Sequence, residues 1–161
     1  MKRRGGKAAA SLAVTGGNAD VAAEAEFAII IISHGALAVE LKKALEHLMG
    51  PQPLVVALSI PADEPLSRTR QRLRRIIEEL PPRPAAERPL VFLSDLFGGT
   101  PANLALEQVR RLHGASLITG ANLPALVRLA ELRGHVPSRR AVEEAAAVGR
   151  RFIRTEYGAG G

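Results

Sequence analysis

The chain has 161 residues, 47% of them hydrophobic and 24% charged, with a formal net charge of +6, no cysteine and no tryptophan. That length and balance suit one globular domain whose core is aliphatic, since aromatic residues make up only 3%. The lack of cysteine excludes disulfides, thiolate metal sites and a Cys nucleophile, and no apolar run approaches the ~20 residues that span a bilayer.

Residues 1–26 mix Ala, Gly and charge without a sustained period and read as a flexible extension ahead of the domain. Lys2, Arg3, Arg4 and Lys7 precede a short AAASLAV stretch that mimics a secretory signal, but its apolar core is weak and flanked by glycine. A cytoplasmic location is the expectation. The domain is expected over 27–157, with 158–161 as a tail.

Its first segment, FAIIIIS at 27–33, lacks polar alternation, as a central parallel strand covered by helices on both faces should. Leu37, Leu41, Ala44, Leu45 and Leu48 then recur at helical spacing until Gly50-Pro51 supplies a stop. VVALSI at 55–60 predicts a second strand. A helix from about Asp63 to Leu80 follows, with acidic residues at its positive dipole end and Leu73, Ile76, Ile77 and Leu80 on one side. Its Arg68, Arg70, Arg72, Arg74 and Arg75 read as a solvated face; without aromatic interleaving or a recognition motif, no nucleic-acid partner is expected.

After a Pro-rich connector at 81–89, LVFLSD at 90–95 predicts a third strand that ends in a carboxylate. A third helix carries Leu104, Ala105, Val109 and Leu112 as far as Gly114, and SLITG at 116–120 predicts a fourth strand. A fourth helix is expected from about Leu123 to Arg133, and a final one capped by Ser138 and running to about Val148. FIRTEY at 152–157 alternates like a short edge strand, open to pairing with a second subunit. The repeated strand-helix units imply an α/β fold: a doubly wound, mainly parallel four-stranded sheet with helices on both faces, flavodoxin-like in outline, plus that C-terminal edge strand.

In such sheets ligands gather beyond the carboxyl ends of the strands, so the residues closing each strand carry the functional argument. Strand one closes in Ser33-His34-Gly35 and opens directly into a helix, near unpaired amides that favour an anion. Strand three closes in Asp95, followed by Leu96-Phe97-Gly98-Gly99-Thr100-Pro101. The paired glycines allow a tight turn, Thr100 suits an N-cap and Pro101 the first helical position. His34 and Asp95 make a coherent pair, because a neutral imidazole attacks through one nitrogen while a carboxylate on the other fixes its tautomer. Phosphoryl transfer asks mainly for positioning and hydrogen-bond donors, which Thr100 and amides at Gly35, Gly98 and Gly99 are placed to supply, so neither cofactor nor metal is required. His47 and His113 each sit close before a helix-ending glycine and are given no chemistry.

IISHGALAVELKKALEHLMG, VFLSDLFGGTPANLA and ITGANLPALV together, in this order, resemble the signature stretches of mannose-family IIA domains of sugar phosphotransferase systems. The likeness implies that His34 receives phosphate from the phosphohistidine carrier HPr and gives it to a IIB partner, with Asp95 orienting it. It further implies that Thr100 lies beside the phosphate, that Gly98, Gly99 and Asn103 form the surrounding loop, and that Asn122-Leu123-Pro124 is a turn near the site. A homodimer exchanging its C-terminal strand is implied as well, with membrane contact only indirect, through IIC and IID transporter subunits. The N-terminal extension and the arginine-dense helix depart from the family pattern and leave a second reading, a regulatory or metabolite-sensing module that controls partner proteins without sugar transport. The dihydroxyacetone kinase subunit also uses an early histidine, but the Gly-Gly-Thr-Pro loop resembles the mannose type more.

Overall fold

The computed structural model describes residues 26–80 and 88–158; all but the last residue of the expected extension, most of the Pro-rich connector and the last three residues lie outside them. Four strands, β1 (Ala28–His34), β2 (Val55–Ile60), β3 (Leu90–Ser94) and β4 (Ser116–Thr119), alternate with helices α1 (Leu37–Met49), α2 (Leu66–Glu79), α3 (Thr100–Val109), α4 (Leu123–Leu132) and α5 (Ser138–Arg151). The sheet is parallel throughout, in the order β2-β1-β3-β4. Connections therefore leave β1 toward one edge and β3 toward the other, and the strand order reverses between those two central strands.

The isoleucine run explains the two-sided packing, because successive side chains on a strand point to opposite faces. Ile29 and Ile31 join Leu45, Leu126, Leu129, Ala141 and Ala145 from α1, α4 and α5. Ile30 and Ile32 join Leu73, Leu104 and Ala105 from α2 and α3, together with Phe92. All four isoleucines are fully buried, so β1 is the spine of both cores and both the doubly wound expectation and its helix layers are realised. Among the described residues no helix is long and apolar enough to cross a bilayer.

Several boundaries differ from the sequence expectations, each for a local reason. Helix α2 begins at Leu66 rather than near Asp63, because Glu64 precedes a proline and is disfavoured in the helical region, and Pro65, with ψ of 135°, becomes the N-cap. Glu64 stays outside the helix, where it accepts hydrogen bonds from Thr69 Oγ1 at 2.8 Å and Arg72 Nη1 at 2.8 Å. Pro137 likewise takes the cap position expected for Ser138, which lies inside α5 and makes no capping bond. Two of the clustered arginines are braces within the fold: Arg72 also donates to Ser59 O at 3.1 Å, and Arg70 pairs with Glu107 of α3 at 2.8 Å.

The C-terminal edge strand is absent from the single chain. Helix α5 continues to Arg151, and residues 152–158 pair with nothing in the sheet, leaving Phe152, Ile153 and Tyr157 exposed. Alternating side chains define a strand only when a neighbouring backbone accepts its hydrogen bonds, and within one chain this segment meets none.

Candidate functional site

Strands β1 and β3 lie side by side with Ile32 level with Ser94, so the residues just beyond those positions, His34 and Asp95, emerge together at the carboxyl end of the sheet. Asp95 Oδ2 accepts two hydrogen bonds from His34, one from its backbone N–H at 3.0 Å and one from ring Nδ1 at 2.9 Å. Asp95 Oδ1 accepts from Leu96 N–H at 2.9 Å and, more distantly, from Ser94 Oγ at 3.4 Å. An ionised carboxylate is an acceptor only, so Nδ1 must carry the hydrogen and Nε2 is left with its lone pair outward.

Burial pushes the Asp95 carboxyl up, but the hydrogen bonds from the His34 ring, the His34 amide and the Leu96 amide outweigh it, with a smaller contribution from the His34 charge, and the net shift is downward. Asp95 is therefore held as an anion. Its side chain is 15% exposed whereas that of His34 is 50% exposed, so the pair consists of a covered base-holder and an accessible ring.

Gly99 seats that ring. A Cβ built there would lie 2.8 Å from His34 Cε1 and 3.4 Å from Nε2, which leaves no room for any side chain. The preceding Gly98 turns the loop with φ of 77°, a conformation that side-chain-bearing residues rarely adopt. Asn103 Nδ2 donates to Gly98 O at 3.1 Å and braces the turn from the first turns of α3. The variant Gly99→Ala should keep its fold, because the crowded atoms belong to a half-exposed ring, but lose roughly tenfold to hundredfold in any reaction at Nε2 as the imidazole swings off its carboxylate. Retention of wild-type reactivity in a purified Gly99→Ala protein would show that the ring does not need this seat.

Gly35 and Thr100 depart from the local bonding expected of them. Gly35 does not offer its amide to an anion: its N–H donates to Ile60 O at 2.9 Å, since β1 and β2 remain in register to their ends. Thr100 is the first residue of α3, not its cap; extended Gly99 takes that position and no side chain caps the helix. The exposed Thr100 hydroxyl is thus spared from capping, and the amides of Thr100 and Ala102 fall in the opening turn where helices lack internal acceptors. Asn122 caps α4 by accepting from Ala125 N–H at 3.0 Å, and Pro124 sits in the first turn of the same helix.

The sequence argument did not single out Ser33, whose buried hydroxyl accepts from Ala38 N–H of α1 and so ties β1 to the helix that follows His34. Its spacing of five residues is longer than an ordinary cap, which hid the signal. Leu96 and Phe97 were read only as loop residues, yet they stand 61% and 82% exposed beside Asp95 and form an apolar rim.

Sheet and site together define a class: an open, parallel α/β domain whose switch point presents a carboxylate-oriented imidazole beside a glycine loop and a helix start. Within that class, the chain belongs to the EIIA-man family, described as "PTS system fructose IIA component", whose model matches residues 28–146. It is thus a mannose-family EIIA component of a sugar phosphotransferase system, with a role in phosphotransfer. It is 27% identical over 108 residues to the fructose-specific EIIA component of Bacillus subtilis (strain 168), covering 67% of this chain and 71% of that protein. With the sorbose-specific EIIA component of Lacticaseibacillus casei it shares 28% identity over 102 residues, covering 63% of this chain and 70% of the relative. The solved mannose/sorbose-specific IIA subunit from Enterococcus faecalis has the same fold, with a TM-score of 0.72 at 24% identity over 82% of this chain and 96% of that one.

Proposed function

We propose that His34 is the transient phosphoryl carrier of this component, taking phosphate from phospho-HPr and passing it to a IIB protein. The observation that carries the reading is the 2.9 Å contact between Nδ1 and Asp95 Oδ2 on a ring that is otherwise half exposed. In the forward step the Nε2 lone pair forms a P–N bond as the donor's P–N bond breaks and its electron pair returns to the donor imidazole. His34 keeps its Nδ1 hydrogen on Asp95, whose negative charge offsets the positive charge that phosphorylation places on the ring. The Thr100 hydroxyl and the opening amides of α3 are suited to the equatorial oxygens of the transferring group, where fixed donors stabilise developing charge.

The carrier must meet two protein partners through one accessible face, and Phe97 with Leu96 supplies the apolar part of it. Phe97→Ala is expected to lower kcat/KM for phosphoryl exchange with either partner by roughly tenfold, leaving thermal stability nearly unchanged because the residue is 82% exposed in the free protein. Equal transfer rates for the two proteins would remove Phe97 from the contact. The exposed Phe152, Ile153 and Tyr157 on an unpaired C-terminal segment support the homodimer, in which a second copy would provide the missing backbone partner. The deciding experiment is incubation with phospho-HPr: the reading requires a single acid-labile phosphate mapped to His34 and rapid discharge to IIB. A stable phosphoprotein that no IIB protein discharges would instead indicate the regulatory module.

A further inference from the structure

We infer that Asn122 is a positioning residue for the reactive histidine, tying helix α5 to the loop that holds Asp95 and thereby fixing the Asp95–His34 pair; this rests on the reading of His34 as phosphoryl carrier. Asn122 uses both ends of its amide. Oδ1 accepts from Ala125 N–H at 3.0 Å, while Nδ2 donates to Gly120 O of its own turn and to Gly149 O of α5, each at 3.4 Å.

The turn that Asn122 closes grips the end of β3. Gly120 N–H donates to Asp95 O at 3.1 Å and Ala121 N–H donates to Ser94 O at 3.0 Å. A continuous path of hydrogen bonds and one short stretch of backbone thus runs from Gly149 through Asn122 and Gly120 to Asp95, and from Asp95 Oδ2 to His34.

Two features distinguish a tie from a simple helix cap. Ser or Asp serves an N-cap as well as Asn does, but Asp has no donor and Ser only the short O–H on the capping oxygen itself, whereas the amide carries a separate N–H₂ group that reaches past it. Gly149 is the second feature. A glycine inside a helix costs stability, yet here it is buried, and a Cβ would lie 2.9 Å from Ala125 Cβ and 3.0 Å and 3.1 Å from the Asn122 amide atoms. Helix α5 is therefore brought as near to this side chain as backbone can come, and its approach is what completes the amide's bonding.

Asn122→Ser keeps a capping oxygen and removes the Nδ2 amino group that bonds Gly120 O and Gly149 O. Its melting temperature is expected to fall by only about a few degrees. In the unphosphorylated protein, the share of His34 imidazole carrying its hydrogen on Nδ1, read by ¹⁵N NMR of the ring, should drop. Phosphoryl uptake should slow about tenfold, the scale expected when a reacting group is slightly misplaced. Gly149→Ala removes no polar group but pushes a methyl into the same amide from the α5 side, and should give the same spectral change; it decides the matter if Asn122→Ser fails to fold. A folded variant with the wild-type tautomer and the wild-type rate would overturn the proposal. If the wild-type protein accepted no phosphate while the tautomer still responded to Asn122→Ser, the carrier reading would fall and the tie would stand.

Discussion

The variant His34→Ala is expected to lose acid-labile phosphorylation by at least about 10³-fold while remaining folded. The loss should be this complete because, among the described residues, no other nucleophile shares the geometry. Both Asp95 oxygens already accept hydrogen bonds from backbone N–H groups, and His47 sits in the last turn of α1, far along the helix from the strand ends. The fold should survive because the ring belongs to neither hydrophobic core and Asp95 keeps its bonds to the backbone amides at positions 34 and 96. Incorporation of radiolabelled phosphate from phospho-HPr, followed by brief acid treatment, measures this directly. Wild-type labelling in the folded variant would place the phosphate elsewhere and end the assignment.

A loss of about 10²-fold or more is expected for Asp95→Asn, with the phosphate acceptor itself untouched. The carboxylate serves four donors with two acceptor oxygens, whereas an amide has a single oxygen and turns its own N–H₂ toward two of them. Either the Leu96 amide or the His34 pair then faces a donor; in the second arrangement the ring loses the partner that selects its tautomer, and in both the charge opposite the phosphorylated imidazole disappears. The same substitution should flatten part of the acid limb of stability. The folded Asp95 carboxyl lies below the ordinary value near 3.9, so its contribution is present above that unfolded value and is lost as pH falls through the lower folded one. Melting curves from pH 6 to pH 3 should therefore show wild type and Asp95→Asn converging at the acid end. A constant gap between them across that range would mean the carboxylate is not held as an anion by these bonds.

Periodicity along the chain was enough to locate the four strands and five helices of the described residues, because those patterns record what each segment buries, but it also marked 152–157 as a strand that a single chain does not form. The unbroken Ala28–Ile32 run could only be a strand covered on both sides, and alternate isoleucines do enter the two cores. Segment ends were less legible. Pro65 and Pro137 each take the N-cap position and displace the starts that Asp63 and Ser138 suggested, a contest between two local rules that sequence order does not settle. The pairing of His34 with Asp95 was legible for a different reason: both close strands of a parallel sheet, and such a sheet delivers all its strand ends to one side.

What the amino-acid order determined by itself was the alternation of elements, the two faces of β1 and the kinds of chemistry waiting at the strand ends, since these follow from side-chain spacing and from residue type. Only the folded chain decided that the Gly35 amide is spent on Ile60, that Gly99 is a seat for an imidazole ring, that Arg70 and Arg72 brace α2, and that the last residues find no strand to join. Each of these depends on which distant backbone or side chain comes within about 3 Å, and hydrogen bonds and steric contacts act at that range whatever the separation along the chain.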